Sequence, residues 1–414
     1  MKAIKFIHAA DLHIDSPFIG LKHLPEQLFE RMIESTFYAF SNLIQLAIEE
    51  QVDFLLLAGD LFDGEDRSLK AQLRIKQEFE RLNQHNIPVF LTHGNHDHFG
   101  GTWMDLSWPE NVHVFSHKQV EQVVYVHPVH GSKVNLYGYS YPSRAVYENV
   151  TEQFPKAEGA DFHIGLLHGS VDGNSNHAPY CPFRTAELLN KGFDYWALGH
   201  IHKRQILNSY NPPILYSGNL QGRHTKETGE KGCFLVTLSK EETTYIFQPL
   251  QDVIWIDYKV SIDEKMSFNQ LFSSLQEELN RIQTKYERAV VMINLAGKSE
   301  MYHDLQKEET VQDLIEVLNE RQLNGNRFVW IARLINNLRP LTEKASVFSN
   351  SSFIKDLQAT ITRYDGYPEA LSPLIKHPVY RKHFGIDSQE DYEKWLNEAE
   401  ELLFSELQKE GNRR

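Results

Sequence analysis

Short apolar runs in the first half of the chain each end in a cluster of aspartate, asparagine or histidine. Runs of four to eight apolar residues bounded by such clusters are typical of buried β-strands. In open α/β sheets, ligands bind at the carboxyl ends of the strands. The pattern therefore predicts a sheet that gathers these polar side chains in one place. The five strings that follow the runs are Asp11-Leu12-His13, Gly59-Asp60-Leu61-Phe62-Asp63, Gly94-Asn95-His96-Asp97, His168-Gly169 and Gly199-His200-Ile201-His202.

The spacing of apolar residues predicts alternating strands and helices before residue 250. Apolar residues at helical spacing favour helices, whereas short apolar runs favour strands. The alternation is typical of a layered α/β domain. The expected helices are Pro25–Glu50 and Ser68–Asn83. The expected strands are Ile4–Ala9, Val52–Ala58, Val89–Thr92, several within Val112–Tyr139, Phe162–Leu167, Tyr195–Leu198, Ile214–Ser217 and Cys233–Leu238.

The pattern of strands and helices starts again near Gln248–Asp252, which predicts a domain boundary there. A second βαβαβ series follows from Val253 to Leu334, and a last amphipathic helix is expected at Ser388–Glu410. The expected division is a catalytic domain at 1–250, a smaller α/β domain at 251–337, and a linker with a helical tail at 338–414.

Composition locates the chemistry and excludes several classes of protein. Of the 20 histidines, 17 fall in residues 1–250, and histidine is the commonest metal ligand and proton shuttle. Two cysteines exclude a disulfide framework and a thiolate metal cluster, and suit a reducing cytoplasm. No apolar run approaches the roughly 18 residues of a membrane span. The net charge of −14 opposes general attraction to DNA, so nucleic-acid binding would need a local patch, a metal pair or a partner.

The polar residues at the strand ends have the chemistry of a two-metal site. Aspartate, asparagine and histidine without cysteine suit Mn²⁺, Mg²⁺ or Fe²⁺ better than structural Zn²⁺. The seven candidate ligands exceed what one ion needs, whereas two ions bridged by a carboxylate and a water use them all. His96, beside Asn95, is the expected general acid or charge stabiliser on neither metal. The candidate ligands are Asp11, His13, Asp60, Asn95, His168, His200 and His202.

The ordered series D-x-H, G-D-x-x-D, G-N-H-D, H-G and G-H-x-H resembles the calcineurin-like metallophosphoesterase superfamily. The resemblance implies a four-layer α/β/β/α sandwich, two divalent ions with Mn²⁺ ahead of Mg²⁺ or Fe²⁺, and a catalytic role for His96. It assigns four ligands to each metal, with Asp60 bridging. The first metal would be held by Asp11, His13, Asp60 and His202, and the second by Asp60, Asn95, His168 and His200.

Two longer strings are similar to the SbcD branch of that superfamily, and to its YhaO-type group. They are the segment from Asp11 to Phe18 and the segment from Tyr216 to Gly232. The resemblance implies a DNA repair nuclease: a two-metal phosphodiester hydrolase that acts on DNA as a 3′–5′ exonuclease, with endonuclease action as a further expectation. It also implies a capping domain after residue 252, a homodimer, and docking of the last helix on a coiled-coil SbcC-like ATPase.

Two other functions stay open at this point. One is a nuclease-like scaffold subunit for a coiled-coil ATPase, because the sequence has no G-x-x-x-x-G-K-[S/T] phosphate loop of its own. The other is a phosphatase or cyclic-nucleotide phosphodiesterase of the same fold.

Residues next to the strings have structural as well as functional interpretations. Arg223 and His224 could contact a substrate phosphate or lie in a solvated loop. Asp63 is expected to cap the helix that follows it, and Asp97 to orient His96 or cap a turn. Two further histidines complete the expectations: His8 in the core, and His163 in a loop or on a strand surface.

Overall fold

The structure is a computed structural model, and it describes most of the chain. The described residues are 3–21, 24–64, 67–101, 106–172, 180–320, 323–324, 326–340, 352–364, 366–377, 395–396, 399–400 and 403.

Strands and helices alternate over the first 250 residues, as the apolar spacing predicts. The helices are α1 (Glu26–Glu49), α2 (Leu69–Gln84) and α3 (Thr185–Leu189). The strands are β1 (Ile4–Ala9), β2 (Phe54–Ala58), β3 (Val89–Thr92), β4 (Val112–Val114), β5 (Glu121–Val126), β6 (Lys133–Gly138), β7 (Phe162–His168), β8 (Tyr195–Gly199), β9 (Gln205–Asn208), β10 (Ile214–Tyr216), β11 (Gly232–Leu238) and β12 (Thr243–Pro249).

These strands form two six-stranded sheets. The first sheet has the order β12-β11-β1-β2-β3-β4, and the second has the order β5-β6-β7-β8-β10-β9. Strands β1, β2, β3 and β4 are parallel, and so are β6, β7, β8 and β10. The strands whose ends carry the polar strings therefore lie side by side in the middle of each sheet.

The two sheets face each other across an apolar layer. Phe6 of β1 and Phe54 of β2 stack in this layer at 5.2 Å between ring centroids, and Tyr195 of β8 meets Phe6 edge-on at 5.2 Å. Helices α1 and α2 cover the outer side of the first sheet with residues such as Leu43 and Phe79. A second apolar cluster around α3 covers the outer side of the second sheet. The order of layers is thus α/β/β/α, as the family resemblance implies.

The helices begin and end where their sequence provides the signals. The hydroxyl of Ser68 accepts a hydrogen bond from the backbone N–H of Ala71 at 3.1 Å and caps α2. In α1, the buried positions Phe40, Leu43 and Ala47 recur at helical spacing and face the first sheet.

A third sheet follows residue 250, with the order β13-β14-β16-β15. Trp255, Val290 and Phe328 from its strands are buried with Leu28 and Met32 of α1 in one apolar cluster. The elements are β13 (Ile254–Ile262), α4 (Phe268–Lys285), β14 (Arg288–Lys298), α5 (Glu308–Glu320), β15 (Leu323–Asn324), β16 (Arg327–Arg339), α6 (Ser352–Arg363) and α7 (Tyr367–Ile375).

Two compact units divide the chain. One consists of Met1–Val260, Asn269–Leu295 and Glu308–Asn336, and the other of Ser261–Phe268, Ala296–Lys307 and Asn337–Arg414. Helices α6 and α7 are not among the elements expected from the sequence, and the helix expected at 388–410 lies largely outside the described residues. The division at 1–250, 251–337 and 338–414 stays a prediction. Among the described helices, none combines the length and apolar character that crossing a membrane requires.

Candidate metal centre

The ends of five strands from both sheets meet in one place. Asp11 follows β1, Asp60 follows β2 and Asn95 follows β3, all in the first sheet. His168 ends β7 and His200 follows β8, both in the second sheet. Because the two sheets face each other, side chains up to about 190 residues apart in the sequence lie together, as the strand-end pattern predicts.

Short distances join all seven expected metal ligands. His168 Nε2 lies 3.3 Å from Asp60 Oδ2 and 3.1 Å from Asn95 Oδ1. His200 Nδ1 lies 3.2 Å from the same Asn95 oxygen. Two sets of these side chains each have ligand atoms within 4.8 Å of one another. The sets are Asp11, His13 and His202, and Asp11, Asp60 and His168.

His96 lies closer to the cluster than the sequence analysis expects. Together with His13 and Asp60 it forms a third set whose ligand atoms lie within 4.8 Å of one another. Its Nδ1 is 2.9 Å from the backbone oxygen of Asp63, and 35% of its side chain is exposed. The exposed fraction of the neighbouring His202 side chain is 26%, so His96 is the more open of the two toward solvent.

Several of the candidate ligands have unusual backbone conformations. Asp11, His13, Asp60 and His200 have φ angles of 51°, 45°, 51° and 96°. L-residues other than glycine rarely adopt this left-handed region, and strain of this kind clusters at functional sites. The loops are fixed against each other, because the backbone N–H of His13 donates to the carbonyl of Asp60 at 3.0 Å. The N–H of His200 donates to Asp11 Oδ1 at 2.9 Å.

Gly94 leaves the space in which the ligand atoms meet. A Cβ atom on Gly94 would lie 2.4 Å from Asp60 Oδ1 and 2.6 Å from His168 Nε2. Any larger residue would therefore fill the cradle between these two side chains. The absence of a side chain here is a requirement of the site rather than of a turn.

The chemistry of the donors fits divalent metal ions. Asp11, His13, Asp60 and His168 have at most 1% of their surface exposed. Charged groups buried to this extent are paired or coordinate a metal. Carboxylate and amide oxygens together with imidazole nitrogens suit Mn²⁺, Mg²⁺ and Fe²⁺. The residues at the strand ends thus satisfy the requirements of a two-metal site.

The carboxylates and His168 shift one another's proton affinities. Burial opposes ionisation of Asp60, but the adjacent His168 holds the pKa of Asp60 well below its usual range. The pKa of His168 rises to about 9, because Asp60 and then Asp11 outweigh the effect of burial. Burial and the nearby Asp60 raise the pKa of Asp11, against the opposing effect of His168 and His202. The Asp60 carboxylate therefore stays ionised and stabilises positive charge beside it, as a carboxylate that binds a metal ion must.

Asp97 joins two of the ligand loops and does not orient His96. Its Oδ2 accepts hydrogen bonds at 2.9 Å from His93 Nδ1 and from the backbone N–H of Leu61. Its Oδ1 accepts one from the N–H of Gly94 at 2.7 Å. Asp97 thereby holds the loop after β2 against the loop after β3. The expectation that Asp97 orients His96 or caps a following turn is wrong, since its partners come from these two loops.

Asp63 faces the cluster and does not cap a helix. Its Oδ1 is 3.0 Å from His13 Nδ1, and its Oδ2 accepts a hydrogen bond from the Ser16 hydroxyl at 2.9 Å. The cap of α2 is Ser68 instead. The expectation that Asp63 caps this helix is wrong, because the loop turns its carboxylate back toward His13. The pKa of Asp63 is about 2, since His13 and Arg223 outweigh the effect of burial.

Glu227 is a site residue that the sequence analysis misses. Its Oε1 is 2.7 Å from His202 Nδ1, and its Oε2 accepts a hydrogen bond from Asn219 Nδ2 at 2.9 Å. Burial opposes ionisation of Glu227, but His202 holds the pKa of this carboxyl well below its usual range. A glutamate between Lys226 and Thr228 has no local signal for such a role, because the contact depends on tertiary folding.

Arg223 and His224, the expected phosphate contacts, lie beside the cluster. Arg223 Nη1 pairs with Asp63, and Nη2 is 3.4 Å from His202 Nδ1. His224 Nε2 is 3.4 Å from Glu227 Oε1, and 56% of its side chain is exposed. A cavity of about 430 Å³ adjoins them, with Phe18 and Trp255 in its lining. The cation of Arg223 is thus engaged by protein carboxylates, and a role toward phosphate stays a prediction.

Two other histidines are structural. His8 is fully buried in β1, with Nδ1 2.9 Å from the Tyr195 hydroxyl, which confirms it as a core residue. His163 is 5% exposed within β7, and its Nδ1 is 3.1 Å from the Tyr137 hydroxyl. The expectation of a loop or strand-surface position for His163 is wrong, because the helix-side cluster covers this face of the second sheet.

Comparison with known proteins agrees with the geometry. Residues 4–204 match the family described as calcineurin-like phosphoesterase. The chain is 41% identical over 405 residues to "Uncharacterized metallophosphoesterase YhaO" of Bacillus subtilis (strain 168), covering 98% of each protein. The chain belongs to the calcineurin-like phosphoesterase family. It is a metal-dependent phosphoesterase of the YhaO and SbcD-like branch.

More distant members of this family carry names related to DNA. The chain is 25% identical to "DNA double-strand break repair protein Mre11" of Sulfurisphaera tokodaii, over 74% of this chain and 77% of that protein. It is also 25% identical to the protein of the same name from Sulfolobus acidocaldarius, over 95% of this chain and 97% of that protein.

The family uses a dinuclear divalent metal site, and this chain supplies the residues to hold one. When bound, two divalent ions supply a nucleophile from water at neutral pH and neutralise charge on the phosphate oxygens. The protein's own contribution is to fix the candidate ligands at the strand ends and to keep His96 at the solvent-facing rim. That arrangement suits attack on a phosphate ester that approaches from the open side.

Proposed function

We propose that this phosphoesterase hydrolyses phosphodiester bonds of DNA, as a 3′–5′ exonuclease with endonuclease action as a second activity. The observation that carries the proposal is the partly exposed imidazole of His96 beside a cluster of seven metal-ligand candidates, six of which are buried. The names of the Mre11 relatives support DNA as the substrate. In the proposed assignment, Asp11, His13, Asp60 and His202 hold one metal. Asp60, Asn95, His168 and His200 hold the other.

His96 has the position of a group that acts on the substrate. Its Nδ1 side is held by the Asp63 carbonyl at 2.9 Å, and its backbone N–H donates to Asp60 Oδ1 at 2.9 Å. The ring is therefore fixed at the edge of the metal cluster, at 4.8 Å from the His13 ring and perpendicular to it. A fixed imidazole at this edge can protonate the leaving oxygen or stabilise charge that develops on the phosphate.

The proposal is tested by digestion of linear duplex DNA in the presence of Mn²⁺. Duplexes labelled at the 3′ or the 5′ end report polarity, and bis-p-nitrophenyl phosphate and a phosphopeptide report the alternative activities of this fold. We expect release of the 3′ label first and full dependence on added metal. Turnover of the phosphopeptide without cleavage of DNA would contradict the proposal and favour a phosphatase. Mn²⁺, Mg²⁺ and Fe²⁺ are compared in parallel.

The His96→Ala variant tests the assignment of that residue. We expect it to keep its bound metal but to lose at least about 10²-fold in cleavage rate, as for removal of one transition-state hydrogen-bond donor. Metal content by elemental analysis and initial rates on the labelled duplex provide the measurement. His85→Ala, an exposed histidine at the end of α2, is the matched control. Loss of metal in His96→Ala would instead make this residue a ligand, as its position within 4.8 Å of the His13 and Asp60 ligand atoms allows.

We also propose two partners on the basis of the SbcD-like resemblance, a coiled-coil ATPase and a second copy of this chain. Tyr38 of α1 and Leu69 and Leu73 of α2 are 41%, 46% and 42% exposed, and they supply an apolar surface for the second copy. Light scattering measures the mass in solution, and a monomer at micromolar concentration would contradict the homodimer. Cleavage that appears only with the ATPase would favour the scaffold role. The cytoplasm is the proposed location.

A further inference from the structure

A segment of 32 residues that includes two candidate metal ligands contains no aspartate or glutamate. It runs from 195 to 226 and comprises β8, β9 and β10 with His200 and His202. The whole chain has 56 acidic residues among 414, or about one in seven, so a stretch of this length would ordinarily hold several. The segment instead carries four cations, and such a local excess of positive charge favours an anionic partner. The cations are Lys203, Arg204, Arg223 and Lys226.

The loop after β8 and the loop after β10 lie against each other beside His202. The backbone N–H of Asn219 donates to the carbonyl of His202 at 3.1 Å, and Lys231 Nζ donates to the same carbonyl at 3.4 Å. A Cβ atom on Gly218 would lie 2.8 Å from the backbone nitrogen of Arg204. The cations that these two loops carry are therefore gathered at the edge of the candidate metal centre.

Three of the four cations are available to a partner. Lys203, Arg204 and Lys226 are exposed, and none of their side chains forms an ion pair within the part of the chain that the structure describes. Arg223 differs, because Asp63 and Glu227 lie beside its guanidinium. We call Lys203, Arg204 and Lys226 the basic strip.

Arg204 is fixed in the orientation that suits phosphate. Its guanidinium lies over the ring of Phe247, 3.8 Å from the centroid. Stacking of this kind holds the guanidinium plane and leaves the N–H groups at its edge for hydrogen bonds. Arg204 also lines a cavity of about 480 Å³ together with Glu230 and Asp257, but neither carboxylate pairs with it in the described ranges. A fixed guanidinium that no carboxylate occupies can bind a phosphate through two parallel hydrogen bonds.

We propose that the basic strip binds the phosphate backbone of duplex DNA beside the metal centre. The inference rests on the proposed hydrolysis of DNA and deepens it, because it names the surface by which a chain with a net charge of −14 holds a polyanion. Each contact between a phosphate and a lysine or arginine releases a counterion, so it contributes about 0.9 to the slope of log affinity against log salt concentration. Loss of such a contact weakens binding to all DNA sequences alike.

The test measures kcat/KM for cleavage of a labelled linear duplex by the full-length protein with Mn²⁺, over a range of salt concentrations. Lys203→Gln/Lys226→Gln should lower kcat/KM at 100 mM salt by at least about 10-fold and reduce the salt slope by about two. Arg204→Gln should reduce the slope by about one. Hydrolysis of bis-p-nitrophenyl phosphate should stay unchanged in both variants, because this small ester does not reach the basic strip. Elemental analysis establishes that both variants keep their metal.

Lys133→Gln/Lys156→Gln is the matched control. Lys133 begins β6 and Lys156 precedes β7, whereas the candidate ligands His168 and His200 lie at the other end of the strands in this sheet. Both lysines are exposed, and neither forms an ion pair with a described residue. The control changes the net charge by the same amount as Lys203→Gln/Lys226→Gln, so a general effect of charge would appear equally in both. We expect the control to leave kcat/KM and its salt slope unchanged.

Three results would overturn the inference. They are an unchanged salt slope in Lys203→Gln/Lys226→Gln, an equal change in the control, and loss of bis-p-nitrophenyl phosphate hydrolysis in the same degree as loss of DNA cleavage. The last result would show that the lysines act on the metal centre rather than on DNA. Failure of the proposed function has a different signature, since the wild-type protein would then hydrolyse the small ester and leave DNA uncut at every salt concentration. That outcome would overturn both proposals, whereas an unchanged slope with intact DNA cleavage overturns the basic strip alone.

Discussion

The metal centre and the layer between the sheets each contain a fully buried histidine. His168 and His8 both have no exposed surface. His8 Nδ1 meets the Tyr195 hydroxyl, and its Nε2 is 3.2 Å from the Leu198 carbonyl. His168 instead has Asp60 at 3.3 Å from its Nε2. One ring has neutral partners on both sides, while the other faces a carboxylate.

The proton affinities of these two rings move in opposite directions. Burial lowers the pKa of His8 to about 3. The same degree of burial also acts on His168, but Asp60 and Asp11 raise its pKa to about 9. Burial alone therefore does not distinguish a structural histidine from a functional one. For His168 the neighbouring carboxylates decide the direction, and carboxylates that stabilise a proton can also stabilise a metal ion.

The largest predicted effect comes from a substitution that disrupts the layer between the sheets and leaves the metal centre intact. Phe54→Ala removes a ring that contacts Phe6 at 5.2 Å and Phe90 at 5.7 Å between centroids. The free energy of unfolding should fall by about 3–5 kcal/mol because a cavity remains, as measured by urea denaturation. Val124→Ala, 52% exposed on β5, should change it little. The Mn²⁺ affinity of folded Phe54→Ala should be unchanged, and a parallel loss of affinity would show that the two regions are not separable.

The second-largest predicted effect comes from a substitution that disrupts the metal centre and leaves the layer between the sheets intact. In Gly94→Ala, the new methyl group would meet the Asp60 carboxylate and the His168 ring at 2.4 and 2.6 Å. Displacement of catalytic groups by about 1 Å can cost 10²-fold in rate, so we expect at least about this loss in phosphodiesterase activity, together with reduced metal content. Gly64→Ala, where a Cβ meets no atom within 4 Å, is the control. Full activity in Gly94→Ala would contradict the proposed ligand geometry.

The smallest effect concerns pH and His8. The pKa of His8 is about 3 in the folded protein against 6.5 for an ordinary histidine. Between these values the unfolded chain binds a proton that the folded protein does not. The neutral His8 ring therefore makes its full contribution to the free energy of unfolding above pH 6.5. That contribution is lost as the pH falls toward 3, by at most about 1.4 kcal/mol per pH unit.

Replacement of His8 tests whether this ring causes the pH dependence of the free energy of unfolding. His8→Leu should reduce the slope of unfolding free energy against pH between 4.5 and 6.5, as measured by urea denaturation of protein freed of metal with EDTA. His85→Leu, at the exposed end of α2, should leave the slope unchanged. An unchanged slope in His8→Leu would mean that the ring takes up its proton inside the folded protein.

The sequence predicts most of the strands and helices, and it predicts that the candidate ligands lie close together, because both depend on where the apolar runs end. Strand β2 ends at Ala58 and Asp60 follows it, just as the apolar run and its polar string indicate. The partners of those ligands are less predictable. Glu227 lies 25 residues from His202 along the chain, and Asp63 has the local signature of a helix cap. Their contacts depend on how distant loops fold back, and the spacing of apolar residues in the sequence carries no information about that.

The backbone conformation of the loops that carry the candidate ligands could also not be predicted from the sequence. The left-handed φ angles of Asp11, Asp60 and His200 contradict the ordinary preference of non-glycine residues. They persist because neighbouring loops impose them, as when the N–H of Asp11 donates to the carbonyl of Gly59 at 3.1 Å. Local preferences predict the opposite conformation at these positions.

The joining of both sheets at one cluster has a consequence for biosynthesis. The chain is made from its first residue onward, so Asp11 leaves the ribosome about 190 residues before its partner His200. Each proposed metal position draws ligands from both sheets, and a nascent chain with the first sheet alone holds only part of either set. In the proposed assignment the enzyme is therefore inert during its own synthesis. In that assignment, neither metal position is complete until β8 and the loop after it have been made and have packed against the first sheet.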